Sequence, residues 1–377
     1  MNFAKLDALL ESQPLRGIPF CDMIITHKGE TVYRKMVGHA DAEGKVPYTK
    51  DHLCWIFSCT KVITCVAAMR LVEEGKLRLE DPVSLYLPAF EHLTVMNADK
   101  QIVPAENTLT VEHLFTMTGG FDYNLKAPHL VEAYENPENH TVEIVSSLAQ
   151  APLLFEPGTR YRYSLCHDIL AAVVEVVSGM PFSEYLQKTI FDPLDMKSTG
   201  FRLSPEQAER MCSSFMFHIP TGTSRPLIPD NAYSLCDRYD SGGAGLFSCP
   251  DDYIKVVTAL ACDGLSPNGY RLLKPETIAM METNRLCPAA WKDFVNGKHY
   301  GYGWGLCGRV HVNPDYSLSR SSVGEFGWDG AAGAFSMVDR KNQVAIYYAQ
   351  QVRGCAYIYQ IIHPLLRNYA LEGLFGE

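Results

Sequence analysis

The sequence predicts an α+β fold: an antiparallel sheet flanked by N- and C-terminal helices, with an all-α lobe beside it. Three observations carry this. β-rich runs cluster near both ends of the chain, at Phe20–His27 and Thr31–Gly38 and again between Trp304 and Ala349. Apolar residues recur at helical spacing outside those runs, as Phe3, Leu6, Leu9 and Leu10 at one end and Tyr357, Ile358, Ile361, Ile362, Leu365 and Leu366 at the other. The middle of the chain has helical periodicity and few strand signals. The most economical arrangement is a discontinuous mixed lobe from residues 1–80 and 240–377, with residues 81–239 as a mainly helical lobe carrying long loops.

A chain of 377 residues with 47% hydrophobic and 20% charged residues can bury a large core, and disorder is not expected. The net charge of −10, with no offsetting Lys/Arg cluster, argues against a nucleic-acid partner. Twelve cysteines stand singly, with no Cys-x-x-Cys and no histidine at zinc-finger spacing. That many unpaired thiols fit a reducing compartment, so a soluble cytoplasmic protein is expected. Met1–Ser12 lacks a signal-peptide core, and the run Ile169–Val177 is short and broken by Glu175, so no membrane partner is expected either. Nothing in the sequence sets an oligomeric state.

Each element has its own local signal. The first helix ends near Ser12, where Pro14 and Gly17 mark a turn, and Lys28-Gly29-Glu30 joins the first two strands as a hairpin. A long apolar helix runs from Ser58 to Val72 and stops at Gly75. Thr110 caps a short helix from Val111, Asp168–Ser178 is apolar with Gly179 as its stop, and Pro181–Phe191 is amphipathic. Met211–Asp240, rich in Pro, Ser and Thr, reads as a long loop. Pro250–Leu260 is a helix behind a Ser248 cap. Trp304–Val312, Ser317–Val323, Gly333–Val338 and Val344–Ala349 read as strands, and Val352–Leu371 as a helix kinked at Pro364.

Chemistry concentrates in three stretches. In Trp55-Ile56-Phe57-Ser58-Cys59-Thr60-Lys61, three residues separate serine from lysine. That spacing puts both side chains on one helical face, with Cβ atoms roughly 5–6 Å apart, close enough for a nucleophile and the group that manages its proton. By itself the pair reads first as a helix start with a solvated lysine. Tyr163 follows the Glu156-Pro157-Gly158-Thr159 turn and precedes the Asp168 helix, where its phenol can face a cleft. It can act as a base only beside a cation such as Lys61; otherwise Tyr161 and Tyr163 simply pack the loop. Gly324-Glu325-Phe326-Gly327-Trp328-Asp329-Gly330-Ala331-Ala332-Gly333 enters a strand and signals a close backbone approach, or no more than a glycine-rich turn.

Taken in order, the three stretches resemble the serine β-lactamase and penicillin-binding protein superfamily, in its class C branch with the related family VIII carboxylesterases. The pattern Ser-x-x-Lys, Tyr-x-Asn, then Lys-Thr-Gly or a His/Trp-x-Gly substitute falls on Ser58–Lys61, Tyr163-Ser164-Leu165 and Trp328-Asp329-Gly330. Leu109-Thr110-Val111-Glu112-His113-Leu114, Gly243-Ala244-Gly245-Leu246 and Tyr300-Gly301-Tyr302-Gly303-Trp304 also look like the family, so the likeness spans about residues 15 to 350.

The resemblance implies a class C β-lactamase-like fold and a Ser58 nucleophile that forms an acyl-enzyme. Lys61 and Tyr163 would move the proton, and the backbone N–H groups of Ser58 and Ala331 would form the oxyanion hole. Two departures bear on substrate. Leu165 replaces the family's Asn and Trp328 its Lys, so the groups that meet an acylamino group and a carboxylate are missing. Both changes favour a neutral small-molecule ester or acyl donor. Trp328, Gly330, Leu165, Phe121, Tyr123, Tyr302 and Trp304 are the candidate substrate-binding residues.

An esterase therefore ranks first, an acyltransferase using the same acyl-enzyme second, and a β-lactamase or D-amino-acid peptidase third. A non-catalytic binding homologue is the rival from another class. No Gly-x-Ser-x-Gly elbow, metal-ligand cluster or dinucleotide fingerprint is present, so no metal or cofactor is expected.

Overall fold

A computed structural model of the chain describes residues 1–228 and 230–376. The elements that position the site are α1 (Ala4–Glu11), β1 (Phe20–His27), β2 (Glu30–Gly38), α2 (Thr60–Glu73), α3 (Cys166–Ser178), α4 (Pro250–Ala261), β3 (Tyr302–Trp304), β4 (Arg309–His311), β5 (Phe326–Gly327), β6 (Phe335–Asp339), β7 (Val344–Ala349) and α5 (His363–Phe375).

β1 is buried along nearly its whole length, and its side chains alternate between two cores as the two-residue strand period requires. Cys21, Met23 and Ile25 pack with Leu6 and Leu10 of α1 and Leu366 and Ala370 of α5. Ile24 points the other way, toward α2, α3 and α4, and Thr26 Oγ1 lies 2.8 Å from Thr258 Oγ1 of α4. β7 repeats the division. Val344, Ile346 and Tyr348 face the terminal helices, while Tyr347 stacks on Tyr253 of α4 at 4.2 Å. The result is one sheet of seven strands in the order β2-β1-β7-β6-β5-β4-β3, with every neighbouring pair antiparallel. The terminal helices cover one face and the buried helices the other, so the α+β architecture expected from the sequence is the one observed.

Several local readings are corrected by long-range contacts. Met211–Asp240 is not all loop: Ser214–His218 and Thr223–Leu227 form a hairpin, and Val352–Arg353 adds a parallel third strand. Its weak apolar pattern hides it, because Phe215 is the one large buried side chain of that hairpin. Trp304–Val312 is a hairpin of β3 and β4 turning at Gly305–Gly308, where the Gly305 N–H donates to the Gly308 carbonyl at 2.9 Å. Ser317–Val323 is no strand. Asn313 caps a helical turn over Pro314–Ser317 instead. The last helix starts only after the Val352–Arg353 strand, and it passes through a π-helical turn over Ile358–Ile362 directly before Pro364, so the irregularity expected at that proline is present as a widened turn. Thr94–Met96 and Ile102–Pro104 add a small hairpin to the helical middle. Among the described residues, no single helix is long and apolar enough to cross a membrane.

Candidate active site

Ser58 is presented by a strained turn. Cys54–Trp55 pair with Phe247–Ser248, the chain then turns through Phe57 at φ +45°, and a short 3₁₀ turn over Phe57–Cys59 leads into α2. A left-handed phenylalanine costs on the order of 1 kcal/mol. Burial of the Phe57 ring against Tyr233, at 5.8 Å edge-to-face, holds it there. α2 is apolar almost all round and runs through the core, so its first-turn lysine has no route to solvent.

Lys61 is therefore fully buried, and its three ammonium hydrogens find three partners. Nζ lies 2.7 Å from the Gly243 carbonyl, 3.3 Å from Tyr123 Oη and 3.5 Å from Ser58 Oγ. It also sits over the Tyr163 ring, 4.7 Å from the centroid. Among the described residues it makes no hydrogen bond to Tyr163 Oη. That phenol oxygen instead accepts from Trp328 Nε1 at 3.0 Å, and the Tyr163 and Tyr123 rings stack at 5.7 Å and 11°. Burial, then the nearby Asp168 charge, pushes the Tyr123 phenol well above its usual range, so it stays protonated at neutral pH.

Beneath the lysine lies a buried acid that the sequence reading placed only as the start of a helix. Asp168 Oδ1 accepts from Ser241 Oγ at 2.6 Å, Tyr239 Oη at 2.7 Å and the Gly243 N–H at 3.3 Å. Gly243 thus meets the acid with its N–H and the lysine with its carbonyl. A Cβ there would come within 2.3 Å of Asp168 Oδ2, so only glycine fits. The available signals were a charged residue opening an apolar helix and the glycine density of Gly242-Gly243-Ala244-Gly245.

The third wall is the segment after β5. Gly330 packs so tightly that a Cβ would lie 2.4 Å from the Ile56 carbonyl oxygen, two residues before Ser58. Tyr359 Oη donates to the Gly330 carbonyl at 2.9 Å, Gln350 Nε2 to that of Ala332 at 3.0 Å, and His363 Nε2 lies 3.0 Å from that of Gly333. The Gly330 and Gly333 amides are taken as well, donating to the Ala334 and Gly330 carbonyls at 2.8 Å each. Among the described residues neither the Ser58 nor the Ala331 N–H has an acceptor. Asp329 is held by Arg309 at 3.0 Å; burial alone would raise its carboxyl, but the Arg309 charge wins and keeps it well below the usual range.

These walls enclose a cavity of about 670 Å³ whose lining includes Ser58, Tyr163, Trp328, Gly330, Ala331 and Tyr123. Asn124, Leu125, Lys126, Tyr233, His299, Asp329 and Tyr359 also line it, none of them singled out from the sequence. Four expected lining residues are placed elsewhere. Leu165 begins α3 with its side chain in the core, and Phe121 packs edge-on against Phe90. Tyr302 lies under the Arg367 guanidinium, and Trp304 is fully buried, donating Nε1–H to the Phe115 carbonyl at 2.9 Å. All four are buried: Tyr302 and Trp304 on a strand, Leu165 at the start of α3 and Phe121 in the loop after Gly120. Among the described residues, no group of three or more His, Cys, Asp or Glu side chains is placed to hold a metal ion.

A strained turn carrying Ser-x-x-Lys into a buried helix, beside an antiparallel sheet, defines the serine β-lactamase and penicillin-binding protein class. The Beta-lactamase family profile matches residues 6–354, and the chain belongs to that family. It is 28% identical to esterase EstB of Burkholderia gladioli, over 99% of this chain and 92% of that one. It is 31% identical to the lovastatin esterase of Penicillium rubens, over 75% of this chain and 72% of that one. Among solved structures it resembles EstCE1, a hydrolase with promiscuous acyltransferase activity, with a TM-score of 0.80, 25% identity and 97% coverage of both chains.

Proposed function

We propose that the protein is a serine hydrolase of the carboxylesterase type, acting on neutral small-molecule esters through an acyl-enzyme on Ser58. The observation that carries this is Lys61: a buried ammonium within 3.5 Å of Ser58 Oγ and over the Tyr163 ring, two residues that line an aromatic cavity. Ser58 Oγ attacks the ester carbonyl as its proton passes to Tyr163 Oη, acting as the phenolate that the Lys61 ammonium beside the ring stabilises. The carbonyl oxygen becomes an anion that the Ser58 and Ala331 N–H groups receive. The bond to the leaving oxygen then breaks, that oxygen takes the proton from Tyr163, and the acyl group stays on Ser58. Water activated by the same pair releases the acid and restores the serine.

The preference for neutral substrates rests on what flanks the site. Trp328 presents an indole where the family carries an ammonium, and the next residue, Asp329, lines the cavity as a carboxylate kept ionised by Arg309. Lys126 lines the same cavity, so the preference rests on the indole standing in place of an ammonium and not on the cavity's net charge. Leu165 contributes to packing and not to this preference. An acyltransferase reading differs only in letting an alcohol rather than water reach the acyl-enzyme, and a cavity of about 670 Å³ has room for such an acceptor.

We also assign the chain to a reducing, cytoplasmic setting, supported by twelve unpaired cysteines, nine of them buried. The division into lobes at about residues 80 and 240 is likewise our reading. Its support is that every strand of the main sheet lies outside residues 81–239, although α2 packs with the helical lobe.

The test is turnover of p-nitrophenyl esters of increasing acyl length by wild type and Ser58→Ala, with a chromogenic cephalosporin alongside. Loss of ester turnover with the alanine variant, and a fluorophosphonate adduct mapping to Ser58 in wild type, is the expected result. Ester turnover that survives the substitution removes Ser58 as nucleophile, and cephalosporin turnover well above ester turnover overturns the substrate class.

A further inference from the structure

Most of the ring hydrogen-bonding groups that face the cavity are already committed. Tyr123 Oη is held by Lys61, Tyr359 Oη by the Gly330 carbonyl, and Tyr163 Oη by Trp328 Nε1. Among the described residues the Tyr233 phenol is uncommitted too, but its ring packs against Phe57 and Tyr123; the uncommitted group beside Trp328 is His299. It lines the cavity, stacked face-to-face on Phe294 at 4.4 Å and 8° and set against Trp328 at 5.9 Å. Among the described residues no hydrogen bond reaches either of its nitrogens. A Cβ on Gly297 would lie a tight 3.3 Å from the imidazole Cδ2, so glycine there lets the chain fold back close to the ring.

The position of His299 relative to the reacting bond follows from Trp328. One side of the indole meets Tyr163, at 5.6 Å between rings, and it also meets His299. In the mechanism above the leaving oxygen takes its proton from Tyr163, so the alcohol half of the ester lies along the indole with His299 as the next polar group. We propose that His299 and Trp328 form a subsite for the leaving alcohol, and that this alcohol carries a second hydroxyl which hydrogen-bonds the imidazole. The assignment rests on Ser58 and Tyr163 acting as described.

The chemistry of the subsite selects the hydroxyl. Burial, with Arg309 adding to it against the opposing Asp329 charge, holds His299 below its ordinary value and hence neutral at pH 7. Neutral imidazole offers one donor and one acceptor, and a hydroxyl complements either. A carboxylate only accepts, so it complements the imidazole N–H but not its acceptor nitrogen. The indole and Phe294 supply apolar surface for the carbon skeleton, which points to a cyclic or otherwise bulky diol monoester.

His299→Phe keeps the ring stack and removes both nitrogens. Two substrates decide the matter: the monobutyrate of 1,4-cyclohexanediol and cyclohexyl butyrate, which lacks the second oxygen. Wild type should favour the diol ester in kcat/KM, and His299→Phe should lose roughly fivefold to tenfold on the diol ester while staying within twofold on cyclohexyl butyrate. Equal losses on both would show a structural role, and no loss on either would show no contact; each overturns the proposal. Binding of the diol and of cyclohexanol, followed by calorimetry, gives a second readout that needs no turnover. If wild type hydrolysed neither ester, the Ser58 reading would fail, while the calorimetric preference and its loss in His299→Phe would still decide the subsite.

Discussion

Gly330→Ala should disable the site without touching any group that takes part in the chemistry. The added Cβ would stand 2.4 Å from the Ile56 carbonyl oxygen, whereas real Cβ contacts are essentially never shorter than 3.0 Å. Segment 330–333 must therefore retreat by at least 0.6 Å from the Ser58 turn, the difference between those two distances. Neither side yields easily. Tyr359, Gln350 and His363 hold the moving segment, and Ile56 is pinned by its own N–H bond to the Leu246 carbonyl at 3.1 Å. The Ala331 N–H is carried outward with the chain. Loss of one oxyanion donor lowers kcat about 10²–10³-fold, and a shift approaching 1 Å can cost about 10²-fold, so a fall of about a hundredfold is expected, or ~2.7 kcal/mol. The assay is kcat on p-nitrophenyl butyrate, with thermal unfolding as a check that the chain still folds. A variant that folds normally and keeps kcat within threefold of wild type would refute the placement of Ala331 in the oxyanion hole.

Two more predictions address neighbouring groups. Trp328→Phe keeps an aromatic wall but removes the donor to Tyr163 Oη; one neutral hydrogen bond is worth about 1 kcal/mol, so kcat should fall roughly fivefold with KM changing less. A KM effect alone would make the indole a substrate contact only. Asp329→Asn tests the buried pair with Arg309. The Asp329 carboxyl is depressed in the folded state, so its stabilisation is complete above the unfolded value of about 3.9 and fades as pH falls through the folded value. Urea unfolding should show the variant weaker at pH 7, with the gap to wild type narrowing below about pH 4. A gap that widened in acid would contradict the sign.

The legible part of the site was local. Ser58 and Lys61 lie three residues apart on one helix, and that spacing alone predicts adjacency, which the 3.5 Å separation matches. The hairpin of β1 and β2 and the apolar cores of α2, α3 and α4 were likewise readable, since their periodicity is a property of ten or so consecutive residues. The hairpin at Ser214–Leu227 was not, because its third strand comes from Val352–Arg353, well over a hundred residues away.

The same distinction runs through the chemistry. The sequence by itself determined which residue types were at hand: a nucleophile, a lysine, a tyrosine and a glycine-rich approach, in one order. Only the tertiary structure decided which aromatic rings reach the cavity, turning Phe121, Leu165, Tyr302 and Trp304 inward and bringing Tyr233, Tyr359 and His299 to its walls. It also placed Asp168 and Gly243 beneath Lys61. A side chain's direction follows from its element's packing against partners far along the chain, and no window of neighbouring residues contains that information.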